Sequence, residues 1–407
     1  MALPTITAIE TISCDDGWRN YHFCKVTCSD GTIGWSEYDE AFGAPGVGHI
    51  IQRLTNRILG FEVGSIEAVY WTLYAATRPA SGGVVALAIA AIENAVIDAK
   101  AKVLGLPVYE LLGGKVRDEL RVYWSHCATW RISRGDFYKP AITHLDGVEA
   151  LGREVREKGF TALKTNIYSY GDDKKPKGWG PGFGAPFYPE LNANAEQVRG
   201  LRTHLEALRS GAGPNVEILL DLNYNFRPEG VIKVLKELED FDLFWVEYDI
   251  NTAEALADIR RHSRHPIASC ETLLGLRQFM PFFQQRALDV AIVDVIWNGA
   301  WQAMKIAAAA EAHELNVAPH NFYGHLSTMQ SVHFAAAVPN LRIVEADIDR
   351  VEADARIFTH APEIRDSHLI VPDRPGWGTE PNEAYIRTIP PKSAADLMNL
   401  GARKHVF

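Results

Sequence analysis

The sequence predicts an α/β protein in which strands and helices alternate around a closed parallel barrel, preceded by a smaller antiparallel sheet with helices. Two observations carry this prediction: a polar or ionisable residue recurs about every 25 positions in the second half of the chain, and each one ends a short apolar run. A repeat of that length fits one strand plus one helix of a (β/α) barrel, in which the carboxyl ends of the strands form the active site. The recurring residues are Asp221, Glu247, Glu271, Asp294, His320 and Glu345.

The N-terminal part has a different pattern. Residues 5–40 alternate apolar and polar side chains in short runs separated by turn residues, which predicts a small antiparallel sheet. Helices are expected over about 48–112. Residues 83–105 are the most apolar stretch, but Glu93, Asp98 and two lysines interrupt it, so we expect a buried helix and not a membrane span.

Eight short apolar runs alternate with helical patterns after residue 120, as a closed parallel barrel requires. Side chains of a strand point alternately to its two faces, and the polar residues of each run share one face. Most of each strand is therefore expected to be apolar, with a polar residue at its carboxyl end. These carboxyl ends together form one end of the barrel, the barrel mouth. The predicted strands are 121–127, 162–168, 217–223, 243–249, 266–271, 290–295, 316–321 and 342–347.

One segment interrupts the repeat. The step from Lys164 to Asp221 is about twice the usual one, and the excess lies near residues 170–190, which are rich in Gly, Pro and aromatic residues. Because this segment follows the second strand, it is expected on the carboxyl-terminal face of the barrel. Two interpretations stay open: a surface insertion, or a lid or contact to a neighbouring subunit.

Composition and charge disfavour several classes of protein, among them nucleic-acid-binding, disulfide-rich and membrane proteins. The chain has 407 residues and a formal net charge of −10, with no basic run longer than a few residues, so nucleic acid is not an expected partner. Five cysteines are sparse and odd in number, which favours reduced thiols and a cytoplasmic location over a disulfide framework. The N-terminus shows neither a basic segment nor a long apolar core, so neither a signal peptide nor a membrane partner is expected.

Asp221, Glu247 and Glu271 offer carboxylate oxygens from three successive strand ends. Mg²⁺ prefers such hard oxygen ligands and leaves its remaining positions to water and substrate oxygens. An acidic protein that binds an anionic substrate also needs local positive charge, which a metal ion supplies. The alternative is three structural carboxylates paired with Lys or Arg, and the regular spacing favours the metal site.

Asp294 and His320 lie at the ends of consecutive later strands. A carboxylate bonded to one imidazole nitrogen fixes the tautomer and raises the basicity of the other nitrogen, so His320 is expected to be a general base. Glu345 is expected to donate a hydrogen bond to a developing oxyanion if it stays protonated beside other carboxylates. Lys164 is expected to lie across the barrel mouth from His320 and to neutralise the carboxylate or enolate charge of the substrate.

These residues resemble the enolase superfamily, in its mandelate racemase subgroup, and the resemblance covers nearly the whole chain. Residues 86–114 look like the helix pair of the family's capping domain. The resemblance implies a (β/α)₇β TIM-like barrel at 119–379, an α+β capping domain at 1–118 plus about 380–407, one essential Mg²⁺ and abstraction of a proton α to a carboxylate. The motifs that look like the family's barrel are GFTALKTN (159–166), LLDLN (219–223), FWVE (244–247), IASCE (267–271), DVAIVD (289–294), VAPH (317–320) and VPDRPGWG (371–378).

The resemblance also implies the roles of the polar residues: the metal triad, the Asp294–His320 dyad, Lys164 and Glu345 as described above. It implies a cap loop near residues 14–22 that closes over the substrate. Two asparagines on the polar faces of their strands and a histidine shortly after His320 add polar groups near the mouth. The expected substrate contacts are Trp18, Arg19, His22, Asn166, Asn223 and His325.

Three departures from the family pattern bear on the reaction. Racemases of the family carry K-x-K on the second strand, where this chain has Lys164 and Asn166. The second Lys is the opposite-face base of a racemase, so its absence disfavours two-base racemisation; several acid-sugar dehydratases similarly have Asn there. The usual E-E-P or E-Q-P is Glu247-Tyr248-Asp249, and Cys270 replaces a Gly before the third ligand. These last two changes leave the ligands in place.

The sequence therefore predicts a Mg²⁺-dependent dehydratase of a sugar acid, an aldonate or aldarate. His320 is expected to remove the C2 proton and to return a proton to the departing C3 hydroxyl, which gives a 2-keto-3-deoxy acid. The alternatives are a racemase or epimerase of a 2-hydroxy acid, and a non-catalytic binding protein on the same fold. The expected partners are a small anionic sugar acid and further copies of the chain in a homo-oligomer.

Overall fold

The N-terminal part of the protein combines a small sheet with helices, of which the described residues form four. The computed structural model describes residues 3–40, 44–178 and 193–393. The elements are β1 (Ile6–Asp15), β2 (Asn20–Cys28), β3 (Ile33–Tyr38), α1 (Val47–Thr55), α2 (Ile66–Thr77), a 3-10 turn (Arg78–Ala80), α3 (Val84–Leu104) and α4 (Val108–Leu111). The strands form an antiparallel sheet in the order β1-β2-β3, as the alternation predicted. α3 is buried along most of its length, and within the described ranges no helix is long and apolar enough to cross a membrane.

The larger unit contains eight parallel strands within the part of the chain that the structure describes. The strands from residue 119 onward are β4 (Glu119–Trp124), β5 (Ala162–Thr165), β6 (Tyr168–Tyr170), β7 (Pro176–Gly178), β8 (Glu217–Asp221), β9 (Leu243–Glu247), β10 (Ile267–Ser269), β11 (Val290–Asp294), β12 (Asn316–His320), β13 (Val344–Ala346), β14 (Ile364–Arg365) and β15 (His368–Ile370). The parallel neighbours run β12-β11-β10-β9-β8-β5-β4, and β13 pairs with β4. Val317 of β12 bridges Leu341 just before β13, so the sheet curls back on itself.

Helices connect consecutive parallel strands. The helices of this unit are α5 (Thr129–Ser133), α6 (Leu145–Glu157), α7 (Ala195–Ala212), α8 (Pro228–Glu237), α9 (Ala253–Arg261), α10 (Leu276–Gln284), α11 (Val295–Asn298), α12 (Ala300–Ala312), α13 (His325–Ala337), α14 (Asp354–Ile357) and α15 (Glu383–Ile386). Side chains from around the sheet, among them Tyr123, Leu219, Trp245 and Ile343, form one buried cluster that fills the barrel interior. The predicted (β/α)₇β barrel is confirmed.

Several strands end earlier than the sequence pattern predicted. β10 ends at Ser269, so Glu271 lies on the loop after the strand and does not close it. β5 ends at Thr165, and the predicted strand continues instead into a separate antiparallel hairpin of β6 and β7. Positive backbone φ angles at Asn223 and Cys270 show where the chain leaves the extended conformation. The apolar pattern therefore located the strands, whereas local backbone turns set their ends.

Two predicted boundaries lie partly outside the described residues. The insertion expected near 170–190 begins with the β6–β7 hairpin, and residues 179–192 are outside the described ranges. Both interpretations of that insertion therefore stay open. Near the C-terminus, Glu383 pairs with Lys25 at 2.8 Å, which places the described end of the chain against the antiparallel sheet. The domain limits proposed from the sequence stay predictions.

Buried polar side chains of α3 bind the first turn of a barrel helix. α3 belongs to the N-terminal unit, here called the cap. Glu93 Oε1 accepts a hydrogen bond from the backbone N–H of Trp301 at 3.0 Å, and Asn94 Oδ1 accepts one from Ala300 at 2.8 Å. These N–H groups belong to the first turn of α12 and have no partner within their own helix. The cap is therefore hydrogen-bonded to the barrel segment that follows Asp294.

A glutamate of the cap sheet holds the next barrel helix in the same way. Glu37 of β3 accepts hydrogen bonds from the N–H groups of Gly324, at 2.7 Å, and Ser327, at 2.9 Å, at the start of α13. Glu37 is fully buried, and burial raises the pKa of its carboxyl to about 7 although both N–H groups oppose the shift. The segment that follows His320 is therefore also anchored by the cap.

The junction between α3 and α12 leaves no room for a side chain at Gly299. A Cβ atom there would lie 2.3 Å from Glu93 Oε1, and the backbone φ of 83° disfavours L-residues. We expect Gly299→Ala to destabilise the protein by about 2–4 kcal/mol through strain and overpacking. Thermal unfolding measures this change.

Gly82→Ala is the matched control, because none of the described residues places an atom within 4 Å of a Cβ at Gly82. Its stability should stay within about 0.5 kcal/mol of the parent. Equal melting temperatures for Gly299→Ala and Gly82→Ala would contradict the tight junction.

Candidate active site

Lys164 lies at the centre of the polar barrel mouth. This residue of β5 is 3% exposed. Its Nζ lies 3.1 Å from Glu247 Oε2, 3.1 Å from Glu345 Oε1 and 4.0 Å from Asp221 Oδ2. Burial opposes a charge there, yet Glu247 and Glu345 raise the pKa of Lys164 well above its usual value. The lysine is therefore a fixed positive charge between strands on different sides of the barrel.

Two asparagines orient the carboxylate of Asp221 at the end of β8. Asn166 Nδ2 and Asn223 Nδ2 donate to Asp221 Oδ2 at 3.2 Å and 2.9 Å. The backbone N–H of Asn223 donates to Asp221 Oδ1 at 2.7 Å, which its left-handed φ of 50° makes possible. Asparagine tolerates that conformation better than most residues. Asn166 and Asn223 thus support a predicted metal ligand, and their role as substrate contacts stays a prediction.

Glu271 is carried by an unusual turn after β10. Cys270 has φ of 89°, in the region that favours glycine, which accounts for the small residue expected at this position. Its backbone N–H donates to Asp249 Oδ1 at 2.9 Å, and the turn brings Glu271 Oε2 to 3.4 Å from His320 Nε2. The third carboxylate therefore faces the imidazole.

His320 and Asp294 form the predicted dyad. His320 Nδ1 lies 2.6 Å from Asp294 Oδ2, and the pair is buried. Asp294 also accepts hydrogen bonds from the backbone N–H of Trp297, at 2.8 Å, and from the hydroxyl of Tyr323, at 3.0 Å. With its Nδ1–H donated to a fixed carboxylate, the imidazole presents Nε2 to the mouth.

Glu345 differs from the expectation of a protonated hydrogen-bond donor. Its carboxylate accepts from Ser125 Oγ and from the backbone N–H of Asn321 at 2.7 Å, besides pairing with Lys164. Burial opposes ionisation, but Lys164 and His320 lower the pKa of Glu345 to about 2. Glu345 is therefore a charged acceptor, because the positive charges around it outweigh its desolvation.

The three predicted metal ligands fit a hard cation in their chemistry. Asp221, Glu247 and Glu271 are buried, and burial raises the pKa of each, to about 7 for Glu247. Glu247 Oε1 is buried without a hydrogen-bond partner among the described residues. Buried carboxylates with an unsatisfied oxygen are what a divalent cation would neutralise.

The ligand distances of a metal site are not preformed. Within residues 3–40, 44–178 and 193–393, no three His, Cys, Asp or Glu side chains are grouped so that they could hold one ion. Asp221 is turned toward two amides, and Glu271 is turned toward His320. The donors and their strand positions fit Mg²⁺, while their present partners are protein groups.

Two residues of the predicted cap loop, Trp18 and Arg19, make different contacts with the barrel. Trp18 Nε1 donates to the hydroxyl of Tyr138 at 2.7 Å, within an aromatic cluster beside His320. Arg19 is buried and donates to Asp16 and to the backbone carbonyl of Phe322, at 2.7 Å, so it ties the loop to the barrel. The structure thus gives Arg19 a role in joining the two units.

The other two predicted histidines contact groups outside the carboxylate cluster. His22 Nδ1 lies 2.7 Å from Ser13 Oγ inside the cap sheet. His325 begins α13 and packs against Phe358, and burial lowers the pKa of His325 to about 2. Their roles as substrate contacts stay predictions.

Sequence reasoning missed one ionisable pair at the mouth. His126 Nδ1 lies 3.2 Å from Asp347 Oδ1, and Trp130 stacks on the His126 ring at 4.3 Å. Both residues of the pair lie in the last positions of predicted strands, 121–127 and 342–347. That placement was a usable signal, but neither residue belongs to the repeat of about 25 residues.

Comparison with known proteins gives the same family along most of the chain. Residues 1–113 match the family "Mandelate racemase / muconate lactonizing enzyme, N-terminal domain". Residues 147–385 match the family "Enolase C-terminal domain-like". The two matches correspond to the cap and to the barrel with its polar mouth.

Individual relatives are similar over nearly the whole chain. A D-galactonate dehydratase family member of Streptomyces bingchenggensis is 28% identical over 95% of this chain and 93% of its own length. The D-gluconate dehydratase of Thermoproteus tenax is 26% identical over 94% of this chain and 74% of its own length. A Burkholderia xenovorans structure, named provisionally as an L-alanine-DL-glutamate epimerase and bound to magnesium and fumarate, is 57% identical with a TM-score of 0.95, covering 98% of this chain and 99% of that one. The chain therefore belongs to the enolase superfamily, in its mandelate racemase subgroup.

Proposed function

We propose that the protein is a Mg²⁺-dependent dehydratase that converts a sugar acid, an aldonate or aldarate, into a 2-keto-3-deoxy acid. One observation carries the proposal: the His320–Asp294 dyad is complete, whereas Asn166 stands where racemisation would need a second base. Relatives named as dehydratases of sugar acids, similar along more than nine tenths of this chain, support the same reaction class.

The reaction begins with removal of the C2 proton of the substrate. His320 donates Nδ1–H to Asp294, so Nε2 carries the lone pair that accepts this proton. Negative charge then grows on the substrate carboxylate, and the ammonium group of Lys164 stabilises it. The C3–O bond breaks, the hydroxyl leaves as water after it gains a proton, and the resulting enol tautomerises to the 2-keto acid.

The charges at the mouth fit an anionic substrate once the carboxylates are neutralised. Asp221, Glu247 and Glu271 are the residues that would hold Mg²⁺, and the bound ion would supply Lewis acidity toward the substrate carboxylate. Lys164 contributes the fixed positive charge of the chain itself. An acidic protein can bind a sugar acid in this way because positive charge is concentrated at the site.

A racemase or epimerase is the second candidate, and the name of the Burkholderia relative favours it. Inversion at C2 requires a base on each face of the substrate. Asn166 carries no titratable group, and Lys164 is held charged by Glu247 and Glu345, which makes it a poor base. A single base is sufficient for elimination, so the geometry favours the dehydratase.

The metal proposal predicts a thermal shift. Mg²⁺ at 100 times its dissociation constant should stabilise the protein by about 2.7 kcal/mol, because it binds only the folded chain. Asp221→Asn, Glu247→Gln and Glu271→Gln should each reduce this shift and abolish turnover. Glu254→Gln, at an exposed position of α9, is the control and should keep both the thermal shift and the turnover of the parent. Full turnover after removal of divalent metal with EDTA would refute the proposal, and failure to bind Mg²⁺ would favour a non-catalytic protein.

The metal-free protein should show an unusually basic His320. Burial opposes its protonation, but Glu271 and Asp294 raise the pKa of His320 to about 10. Because the unfolded value is about 6.5, this charge stabilises the metal-free fold fully below about pH 6.5, and the stabilisation is lost as the pH rises toward 10. Glu271→Gln should lower the pKa of His320, since it removes the main carboxylate that raises it.

This pKa can be measured by NMR titration of labelled histidines, with His320→Asn to assign the signal. Glu254→Gln should leave the pKa of His320 where it is in the parent. An unchanged value in Glu271→Gln would show that the 3.4 Å contact between the two side chains does not exist in solution.

Turnover in D₂O separates dehydration from epimerisation. The protein should form a 2-keto-3-deoxy acid from one C2 configuration and barely interconvert the two configurations. His320→Asn should stop both product formation and deuterium exchange at C2. NMR of a library of sugar acids provides the measurement, and rapid formation of the C2 epimer without a keto product would favour the epimerase.

A further inference from the structure

A second imidazole–carboxylate pair lies at the barrel mouth. His126 follows β4 and Asp347 follows β13, and these two strands are paired. Their side chains meet at 3.2 Å between Nδ1 and Oδ1, with 17% of the His126 side chain and 2% of the Asp347 side chain exposed. The pair is thus at the mouth end of two paired strands, of which β13 lies next to β12, the strand that carries His320.

The protonation pattern of His126 follows from its neighbours. Ser125 Oγ donates its hydrogen to Glu345 and lies 3.0 Å from His126 Nδ1, so toward the imidazole it acts as an acceptor. Asp347 is the other acceptor, and Trp130 Nε1 fixes it with hydrogen bonds of 3.2 Å and 3.1 Å to its two oxygens. Two acceptors around Nδ1 require a hydrogen there.

The opposite ring nitrogen of His126, Nε2, makes no hydrogen bond to any of the residues that the structure describes. The carboxylate side of this arrangement repeats that of the His320–Asp294 dyad, in which a buried carboxylate, held by other donors, takes Nδ1–H. Nε2 differs between the two, since that of His320 lies 3.4 Å from Glu271. An imidazole held in this way can carry a proton on Nε2 and release it to a substrate.

His126 also lies near the proposed base, because both imidazoles contact Phe322. Its φ of 47° turns the chain out of the strand direction just after Ser125. The ring centroid of Phe322 lies 5.6 Å from that of His126 and 5.1 Å from that of His320. The two imidazoles therefore flank one aromatic ring. After Lys164 and His320, His126 also lowers the pKa of Glu345, which pairs with Lys164 at 3.1 Å.

We propose that His126 is a catalytic acid that donates the proton needed by the departing C3 hydroxyl, with Asp347 as its positioning residue; this inference rests on the proposed dehydration. The C2–H bond breaks and its proton passes to His320 Nε2, while its electron pair forms the C2=C3 bond. The C3–O bond breaks with its electron pair on oxygen, and the Nε2 proton of His126 completes a water molecule. Neutral His126 then takes a proton from solvent.

The sequence predicted that His320 both removes the C2 proton and protonates the departing C3 hydroxyl. The proposal assigns the second proton transfer to His126 instead. His320 holds the proton taken from C2 and has Glu271 at 3.4 Å from the same nitrogen. His126 is carried by another strand and is the more exposed of the two imidazoles, with 17% of its side chain accessible against 7% for His320. Reprotonation from solvent is therefore easier at His126.

The test compares two leaving groups in the Mg²⁺-loaded full-length protein. With a sugar acid that the parent dehydrates, His126→Asn should lose about 10²–10⁴-fold in product formation. Deuterium exchange at C2, which needs only His320, should persist. Fluoride release from the 3-deoxy-3-fluoro analogue of the same acid should also persist, because fluoride leaves without a proton. Asp347→Asn should show the same pattern to a smaller degree.

His262→Asn, at an exposed histidine after α9, is the control and should keep all three activities. Unchanged dehydration in His126→Asn would overturn the acid role, and so would loss of C2 exchange, which would make His126 part of the proton abstraction. Formation of a C2 epimer by the parent that disappears in His126→Asn would identify a second base instead and would also overturn it.

If His126→Asn does not fold, ¹⁵N NMR of the parent decides the point: neutral His126 should carry its hydrogen on Nδ1, and a hydrogen on Nε2 would overturn the proposal. Failure of the proposed function is distinguishable. In that case the parent itself forms no keto product from any sugar acid, whereas failure of the acid role alone leaves the parent active and His126→Asn equally active.

Discussion

The charge balance around Lys164 is the constraint on which the rest of the mouth depends. A single ammonium group lies within 4.0 Å of carboxylates from β8, β9 and β13, all of them buried. Buried carboxylates without compensating charge are costly, so each must find a cation, an N–H donor or a proton. Glu345 obtains the first two, and Glu247 retains an unsatisfied oxygen. The site is therefore arranged to accept further positive charge.

The cap contributes to this arrangement through hydrogen bonds and not only by covering it. Glu93 and Glu37 accept hydrogen bonds from the first turns of α12 and α13, which lie on the chain segments after Asp294 and His320. Arg19 adds a bond from the cap loop to the carbonyl of Phe322. These contacts connect the cap to the chain segments that follow the two residues of the dyad.

Backbone strain also occurs at the same mouth. His126, Asn223 and Cys270 follow three different strands and all have positive φ angles, of 47°, 50° and 89°. Such conformations cost about 1–3 kcal/mol each and persist where the surrounding structure holds them. Here each one turns a polar group back toward the cavity: an imidazole, an amide and the carboxylate of Glu271.

The sequence by itself determined the barrel, the family and the Asp294–His320 pair, and it placed three carboxylates at the barrel mouth, because one residue per strand–helix unit must reach the same end of a closed barrel. The spacing along the chain carries that information. The role of the three carboxylates as metal ligands stays a prediction. Only the tertiary structure decided which groups satisfy one another: the ionised state of Glu345, the support of Asp221 by Asn166, and the meeting of His126 with Asp347. These outcomes depend on contacts between strands far apart in the sequence and on local backbone turns, which periodicity does not encode.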